Sequence, residues 1–137
     1  MRFVDTNILL YAISRDPSER SKAAVASEIL EDGDIGLSVQ VLQEFYVQAT
    51  RSTRADALTH RQAAQLVESF TRFPVQDMTY AVMRRALQTR DRFGISYWDA
   101  AIIEAARELG CTVLLSEDLA DGQEYNGVTV VNPFHST

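Results

Sequence analysis

The chain has 137 residues, 46% of them hydrophobic, and its formal net charge is −6 at pH 7. We expect a single globular domain over residues 1–137 and no membrane protein, because no apolar run is long enough to cross a bilayer. The single cysteine, Cys111, cannot form an internal disulfide, and the N-terminus enters a predicted strand at once, so we expect a cytoplasmic protein without a secretion signal. The usual glycine-rich nucleotide-binding motifs do not occur.

The periodicity of apolar residues predicts an α/β protein. Strands are expected near residues 2–5, 34–37, 74–77, 111–115 and 127–131. A short apolar helix is expected over 8–12, and longer helices over 18–32, 38–51, 59–72, 79–93 and 96–109, the last ended by Gly110. The aliphatic run at 111–115 is typical of a strand that is buried on both faces.

Two aspartates directly follow predicted strands. Asp5 lies at a strand-to-helix turn with Thr6 and Asn7 as candidate caps, and Asp118 follows the strand that ends at Leu115. Ligands of open α/β sheets bind in the crevice outside the carboxyl ends of the strands. The two aspartates therefore predict one shared crevice.

Asp99 lies on the helix predicted from Ser96 onward, at the start of its apolar stripe. We expect Glu104, Arg107 and Glu108 to form the solvated face of this helix. A second interpretation stays open, because Ser96 and Asp99 also have the spacing of a capping box. Taken with Asp5 and Asp118, the position of Asp99 favours a functional site.

Glu44 is the fourth acid, in a polar stripe with Gln40 and Gln48 along the helix predicted over 38–51. Alone, this stripe indicates a solvated face. Burying several carboxylates is costly unless a cation compensates them. If Glu44 joins the other three acids, the pattern predicts one site that binds a divalent metal.

The order of four segments resembles the PIN-domain ribonucleases, most closely the VapC-type toxins of toxin-antitoxin pairs. The segments are FVDTNILLYA, LQEF, SYWDAAIIEAA and LLSEDLADG. The resemblance implies an α/β/α sandwich with a mainly parallel central sheet and an acidic cluster that binds Mg²⁺ or Mn²⁺ to cut RNA. It carries the catalytic role to four acids and a supporting role to two hydroxyl residues, which are Asp5, Glu44, Asp99, Asp118, Thr6 and Ser116. Asp121 is an alternative or a supplement to Asp118.

The chemistry of this ligand set agrees with hard cations, which prefer oxygen ligands. We expect Asp5 and Asp99 to make the main metal contacts. Glu44 and Asp118 are expected to orient water, and Asp118 is also a candidate metal ligand. The two histidines, His60 and His135, have neither a triad partner nor zinc-site spacing in the sequence.

Arginine groups are the candidate contacts to RNA, because the planar guanidinium suits phosphate. Four of them lie on one predicted helix, Arg84, Arg85, Arg90 and Arg92, and a second group lies at Arg51, Arg54 and Arg61. Ordinary solvated helix faces with ion pairs are the alternative. We expect Tyr97 and Trp98 to pack in the core, with stacking on a base as the less favoured alternative. Lys22, the only lysine, is expected on a solvated helix face.

A second function class is a PIN-fold interaction module with a vestigial acidic site. The resemblance also implies two partners, a cognate antitoxin that lays a segment in an apolar groove and a second copy of the chain in a homodimer. The end of the first helix, at Tyr11 and Ile13, and the stretch Phe45–Val47 are candidates for such a surface, although burial in the core is expected by default.

Overall fold

A computed structural model describes residues 1–135 of the chain, and it confirms the predicted α/β/α sandwich. The strands are β1 (Arg2–Val4), β2 (Ile35–Ser38), β3 (Val75–Gln76), β4 (Val113–Leu115), β5 (Glu124–Tyr125) and β6 (Val128–Val131). The α-helices are α1 (Thr6–Ala12), α2 (Arg20–Asp32), α3 (Val39–Ala49), α4 (His60–Phe70), α5 (Tyr80–Phe93) and α6 (Tyr97–Glu108). A single 3₁₀ turn, Pro17–Glu19, precedes α2.

The six strands form one sheet in the order β3-β2-β1-β4-β6-β5. All neighbours are parallel except β5 and β6, which are antiparallel. The chain runs outward from β1 through β2 to β3 and then returns to place β4 on the other side of β1. The boundary between β1 and β4 is therefore the topological switch point, where parallel sheets form ligand crevices at the carboxyl ends of their strands.

Polar caps fix where the helices begin. The hydroxyls of Ser38, Thr59 and Ser96 each accept a hydrogen bond from a backbone N–H in the first turn of α3, α4 and α6. At the other end of α6, Gly110 adopts a left-handed φ of 81°, which confirms the predicted stop. None of the helices among residues 1–135 is both long and apolar enough to span a membrane.

The close approach of α6 to the sheet depends on Gly36 in β2. A Cβ atom at this position would lie 2.8 Å from Cδ1 of Leu109, which follows α6, and 3.3 Å from the Met1 sulfur. Such a separation is well inside van der Waals contact. Glycine therefore lets the end of α6 pack directly over β2.

The prediction for the polar face of α6 was wrong at Glu104. This side chain is completely buried, whereas Arg107 and Glu108 are exposed. The reason is tertiary, because α5 packs along α6 and supplies Thr89, whose hydroxyl donates to Glu104 at 2.8 Å. The prediction also missed β5, which is only two residues long.

Candidate active site

Asp5 lies where β1 ends and α1 begins, and it is buried, with 7% of its surface exposed. Its Oδ1 accepts a hydrogen bond from the Thr6 backbone N–H at 2.7 Å, so Asp5 is the N-cap of α1. Its Oδ2 accepts a hydrogen bond from the Ser116 hydroxyl, also at 2.7 Å. Because Ser116 directly follows β4, this carboxylate lies at the carboxyl ends of the two strands that flank the switch point.

Glu44 reaches the same place from α3. Its Oε2 accepts a hydrogen bond from the Thr6 hydroxyl at 2.8 Å, and its Oε1 accepts one from Nε2 of Gln40 at 2.8 Å. The stripe predicted on this helix is thus mainly turned inward, since Gln40 is buried and Glu44 is half-buried, while Gln48 is exposed. Gln40 Oε1 is buried and has no hydrogen-bond partner in the described chain. An uncompensated buried acceptor beside a carboxylate suits a bound water or a cation.

Ser116 connects the third acid to this group. Its hydroxyl oxygen accepts a hydrogen bond from the Asp118 backbone N–H at 3.1 Å while the hydroxyl donates to Asp5. The side chain of Asn7 donates to Asp118 Oδ2 at 3.1 Å and accepts from the Glu117 backbone N–H at 3.3 Å. These bonds hold the segment after β4 against the start of α1, with the Asp118 side chain exposed to solvent.

Burial raises the pKa of Asp5 from 3.8 to about 6, despite the opposing hydrogen bonds from Ser116 and Thr6. The negative charges of Glu44 and Asp118 raise it further. Burial also raises the pKa of Asp99, and Asp118 and Glu44 again add to this effect. Asp5 and Asp99 therefore each lie near enough to Glu44 and Asp118 for the charges of those two acids to raise their pKa values.

Asp99 lies in the first turn of α6 and is half-buried. The Ser96 hydroxyl accepts a hydrogen bond from the Asp99 backbone N–H at 3.1 Å, so the capping part of the alternative interpretation is correct for Ser96. Helix capping is not the whole role of Asp99, because its carboxylate also interacts with the charges of Asp118 and Glu44.

Asp121 lies outside this group. Its Oδ1 accepts a hydrogen bond from the Asn132 backbone N–H at 2.8 Å, and its Oδ2 lies 2.7 Å from Nδ1 of His135. The Asp121 carboxylate therefore holds the segment after β6 in place through these two contacts. Of the two candidates for the fourth acid, the geometry favours Asp118.

The expected metal ligands do not form a ready-made cage. Among residues 1–135, no three histidine, cysteine or acidic side chains form a group that could hold a metal ion between them. Separate donors hold the carboxylates, Thr6 and Ser116 for Asp5 and Asn7 for Asp118. The donor set still fits Mg²⁺, which binds one or two carboxylates and completes its shell with water and substrate phosphate.

Lys22 departs from the predicted solvated face. Its Nζ lies 2.5 Å from Glu117 Oε2, and the Tyr11 hydroxyl donates to Glu117 Oε1 at 2.5 Å. The Tyr11 ring packs edge-on against Phe134 with centroids 4.9 Å apart. Lys22 therefore forms an ion pair with Glu117, the residue that precedes Asp118. The two residues are 95 positions apart, so local periodicity could not predict this pair.

Two small clefts adjoin the acids, and both contain arginine. A cleft of about 230 Å³ is lined by Asp118, Gln48 and Arg54, together with Asn7, Leu10, Tyr11, Glu19 and Glu117. A neighbouring cleft of about 270 Å³ is lined by Glu44, Gln48 and Arg51, with Gln43 and Val47. Neither cleft includes the arginines of α5, namely Arg84, Arg85, Arg90 and Arg92. The arginine group that borders the acids is therefore the one after α3.

Trp98 is the main correction next to the site. It was expected in the core, but 65% of its surface is exposed, and its ring contacts the Tyr97 ring edge-on at 5.1 Å. Its backbone carbonyl accepts a hydrogen bond from Gln40, which also donates to Glu44. An exposed indole therefore lies directly before Asp99 in the chain.

The family model for the PIN domain matches residues 2–120. The chain belongs to the PIN domain family. The comparison with curated proteins found no match.

Several solved structures share this PIN fold. A toxin-antitoxin complex from Klebsiella pneumoniae is 19% identical, with a TM-score of 0.69, over 97% of this chain and 98% of that chain. The sarcin-ricin loop cleaving toxin VapC20 of Mycobacterium tuberculosis is 20% identical, with a TM-score of 0.67, over 86% and 90%. FitAcB from Neisseria gonorrhoeae is 23% identical, with a TM-score of 0.61, over 98% and 99%. At these identities the likeness shows the fold.

Proposed function

We propose that this PIN-domain protein is a divalent-metal-dependent ribonuclease of the VapC type, the toxin of a toxin-antitoxin pair. The observation that carries the proposal is Asp5, a carboxylate buried at the switch point of the sheet and raised in pKa by its surroundings and two further acids. A strongly perturbed acid in such a crevice is typical of a functional site. The sarcin-ricin loop cleaving toxin among the structural neighbours adds support for RNA as the substrate.

Asp5 and Asp99 are the residues that would hold Mg²⁺ or Mn²⁺, with Asp118 as the exposed third acid. When bound, the cation supplies charge neutralisation at the phosphate and a lowered pKa for a water molecule. Glu44 is fixed by Thr6 and Gln40, so its carboxylate is held in position to accept a proton from that water.

Substrate contacts follow from the residues that border the acids. Arg51 and Arg54 line the two clefts that contain Glu44 and Asp118, and they would bind phosphates of the RNA strand. The exposed ring of Trp98 offers a stacking surface for a base next to Asp99. Unpaired bases are accessible to such stacking, which favours RNA loops as the target.

The partner we propose is an antitoxin with an apolar segment. An apolar groove of about 590 Å³ runs between α3 and α4, and its lining includes Leu42, Tyr46, Val47, Ala64 and Val67. Val47 is 54% exposed there, contrary to the expected burial of the stretch Phe45–Val47, although Phe45 is buried. Because α3 also carries Glu44, a segment in this groove would lie beside the acidic site.

Coexpression with the product of a neighbouring reading frame tests the partner. Ala64→Glu places a charge in the groove at a residue that lines neither cleft at the acids, so it should abolish co-purification while leaving RNA cleavage intact. Pairing of two copies remains a prediction, which light scattering of the purified chain tests.

Cleavage of a structured RNA with Mg²⁺, with Mn²⁺ and with a chelator tests the activity. We expect the wild type to cut with either metal, Asp5→Asn and Asp99→Asn to be inactive, and the chelator to stop the reaction. Asp121→Asn is the matched control, because it removes the same charge outside the acidic group and should stay active. Cutting by both Asp5→Asn and Asp99→Asn would reject the assigned site, and a wild type that cuts no RNA would favour the interaction module.

A further inference from the structure

A second polar cavity lies between α5, α6 and the turn that joins β5 to β6. Its volume is about 490 Å³, and it is lined by Arg85, Gln88, Thr89, Arg92, Arg107 and Asn126. Three arginines and three neutral polar residues form this wall, whereas the two clefts at the acids and the apolar groove each contain a carboxylate. The chain has a net charge of −6, so the positive charge of this wall is opposite in sign to that of the average surface.

The buried Glu104 organises this wall. Its Oε1 accepts a hydrogen bond from Nη1 of Arg107 at 2.6 Å and lies 3.8 Å from Nε of Arg85. Its Oε2 accepts a hydrogen bond from the Thr89 hydroxyl at 2.8 Å. Since a buried charge is costly unless it is paired and hydrogen-bonded, these bonds keep both arginines and the threonine in fixed positions.

The β5–β6 turn brings the remaining groups. Asn126 and Gly127 have positive φ values of 52° and 90°, as a two-residue hairpin turn requires. The Asn126 side chain donates to the Thr89 hydroxyl oxygen at 3.0 Å and accepts a hydrogen bond from Nη1 of Arg92 at 2.8 Å. The amide therefore links the arginine of the rim to the network around Glu104.

The charges of this cluster do not balance. Glu104 and Glu108 offset two of the three arginines, since Arg85 forms its closest ion pair with Glu108 and Arg107 pairs with Glu104. Arg92 has no carboxylate within 4.0 Å among residues 1–135, and its guanidinium lies over the Phe93 ring. One positive charge that no carboxylate offsets therefore lines the cavity.

We propose that this cavity is a binding site for a phosphate group, with Arg92 and Arg107 as its main contacts. Guanidinium forks match phosphate oxygens in geometry and charge, and the Thr89 and Asn126 network holds them in place before the ligand arrives. The site is separate from the acidic group, because Asp99 and Arg107 lie about 12 Å apart along the axis of α6. It supplies a contact to the RNA backbone, or to free phosphate, away from the acids.

The arginines of α5 divide accordingly. Arg85 and Arg92 line the cavity, whereas Arg84 and Arg90 do not. Arg92→Gln removes the unbalanced charge without exposing a buried carboxylate. Arg84→Gln removes the same charge from the same helix outside the cavity, and it is the matched control.

Isothermal titration with inorganic phosphate tests the site, without metal so that cleavage plays no part. We expect the wild type and Arg84→Gln to bind alike and Arg92→Gln to bind about ten-fold or more weakly, as for the loss of a hydrogen bond to a charged group. No binding to the folded wild type, or equal weakening by both substitutions, would overturn the proposal. Circular dichroism of both variants checks that they are folded.

The source of the phosphate is decided with a short single-stranded RNA in the Asp99→Asn background. A similar loss of RNA affinity in Arg92→Gln but not in Arg84→Gln supports the RNA backbone as the ligand. Phosphate binding that depends on Arg92, with RNA affinity unaffected by it, supports free phosphate instead. Both results are independent of catalysis, so inactive wild-type protein would reject the ribonuclease proposal and leave this site standing.

Discussion

Replacing Asp5 by asparagine should change how the stability of the metal-free protein depends on pH. In the folded chain, burial and neighbouring acids raise the pKa of Asp5 from 3.8 to about 6. The folded state therefore keeps this proton over a pH range in which the unfolded state has lost it. Folding is opposed by ionisation of Asp5, so its contribution to stability decreases as pH rises from about 4 to about 6.

The size of the effect follows from the shift. A pKa difference of about 2 units corresponds to about 3 kcal/mol at 1.36 kcal/mol per unit. The side chain is only 7% exposed, so solvent screens little of this cost. Asparagine does not ionise, and it replaces the carboxylate at nearly constant volume. The free energy of unfolding of Asp5→Asn minus that of the wild type should therefore increase by most of this amount, about 2.5 kcal/mol, between pH 4 and pH 7.

Urea denaturation of both proteins across this pH range, with a chelator present, measures the difference directly. Subtraction cancels the pH-independent effect of the hydrogen bond that the variant loses, because the single amide oxygen of asparagine cannot replace both carboxylate oxygens that accept from Thr6 and Ser116. It also removes most of the contribution of other groups, such as Asp56 and Glu117, whose pKa values are lowered. The Tm of the variant minus that of the wild type should be about 10 °C higher at pH 7 than at pH 4. A difference that stays flat from pH 4 to pH 7 would refute the reasoning.

Three further predictions use other techniques. Trp98→Ala should weaken RNA binding by about 1–3 kcal/mol without lowering Tm, because the ring is exposed; unchanged RNA affinity in a filter assay would contradict stacking. Lys22→Met should lower stability by about 1 kcal/mol because the Glu117 carboxylate loses its cation, and adding Glu117→Gln should restore part of this stability in chemical denaturation. Gly36→Ala should destabilise the fold by about 1–3 kcal/mol, and Leu109→Ala in the same chain should reduce that penalty; a Tm equal to that of the wild type would show that α6 can move away from β2.

Local sequence patterns predicted most of the fold. The Ser38, Thr59 and Ser96 caps and the Gly110 stop place helix ends within a few residues of those observed, because caps and left-handed turns depend on backbone groups nearby in the chain. The two-residue strand β5 was missed, because two residues are too few to establish a period. The single-domain organisation remains a prediction.

For the candidate site, the sequence predicted which acids meet at one edge of the sheet. Asp5 and Asp118 follow buried strands, so the sheet rules alone bring them to one edge. Sequence did not choose between Asp118 and Asp121, since the two acids are three residues apart in one loop. The choice follows from Ser116 and Asn7, which bind the first, and Asn132, which binds the second.

The sequence by itself determined which acids lie at strand ends and where helices begin and end. It also determined the order of the four segments that resemble the PIN-domain family. Only the tertiary structure decided which side chains are covered by other segments: it buries Glu104, pairs Lys22 with Glu117, and leaves Trp98 in solvent. Helix and strand patterns arise from interactions between residues close in the chain. Solvation and ion pairing depend on what a distant segment brings near, and no local period records that distance.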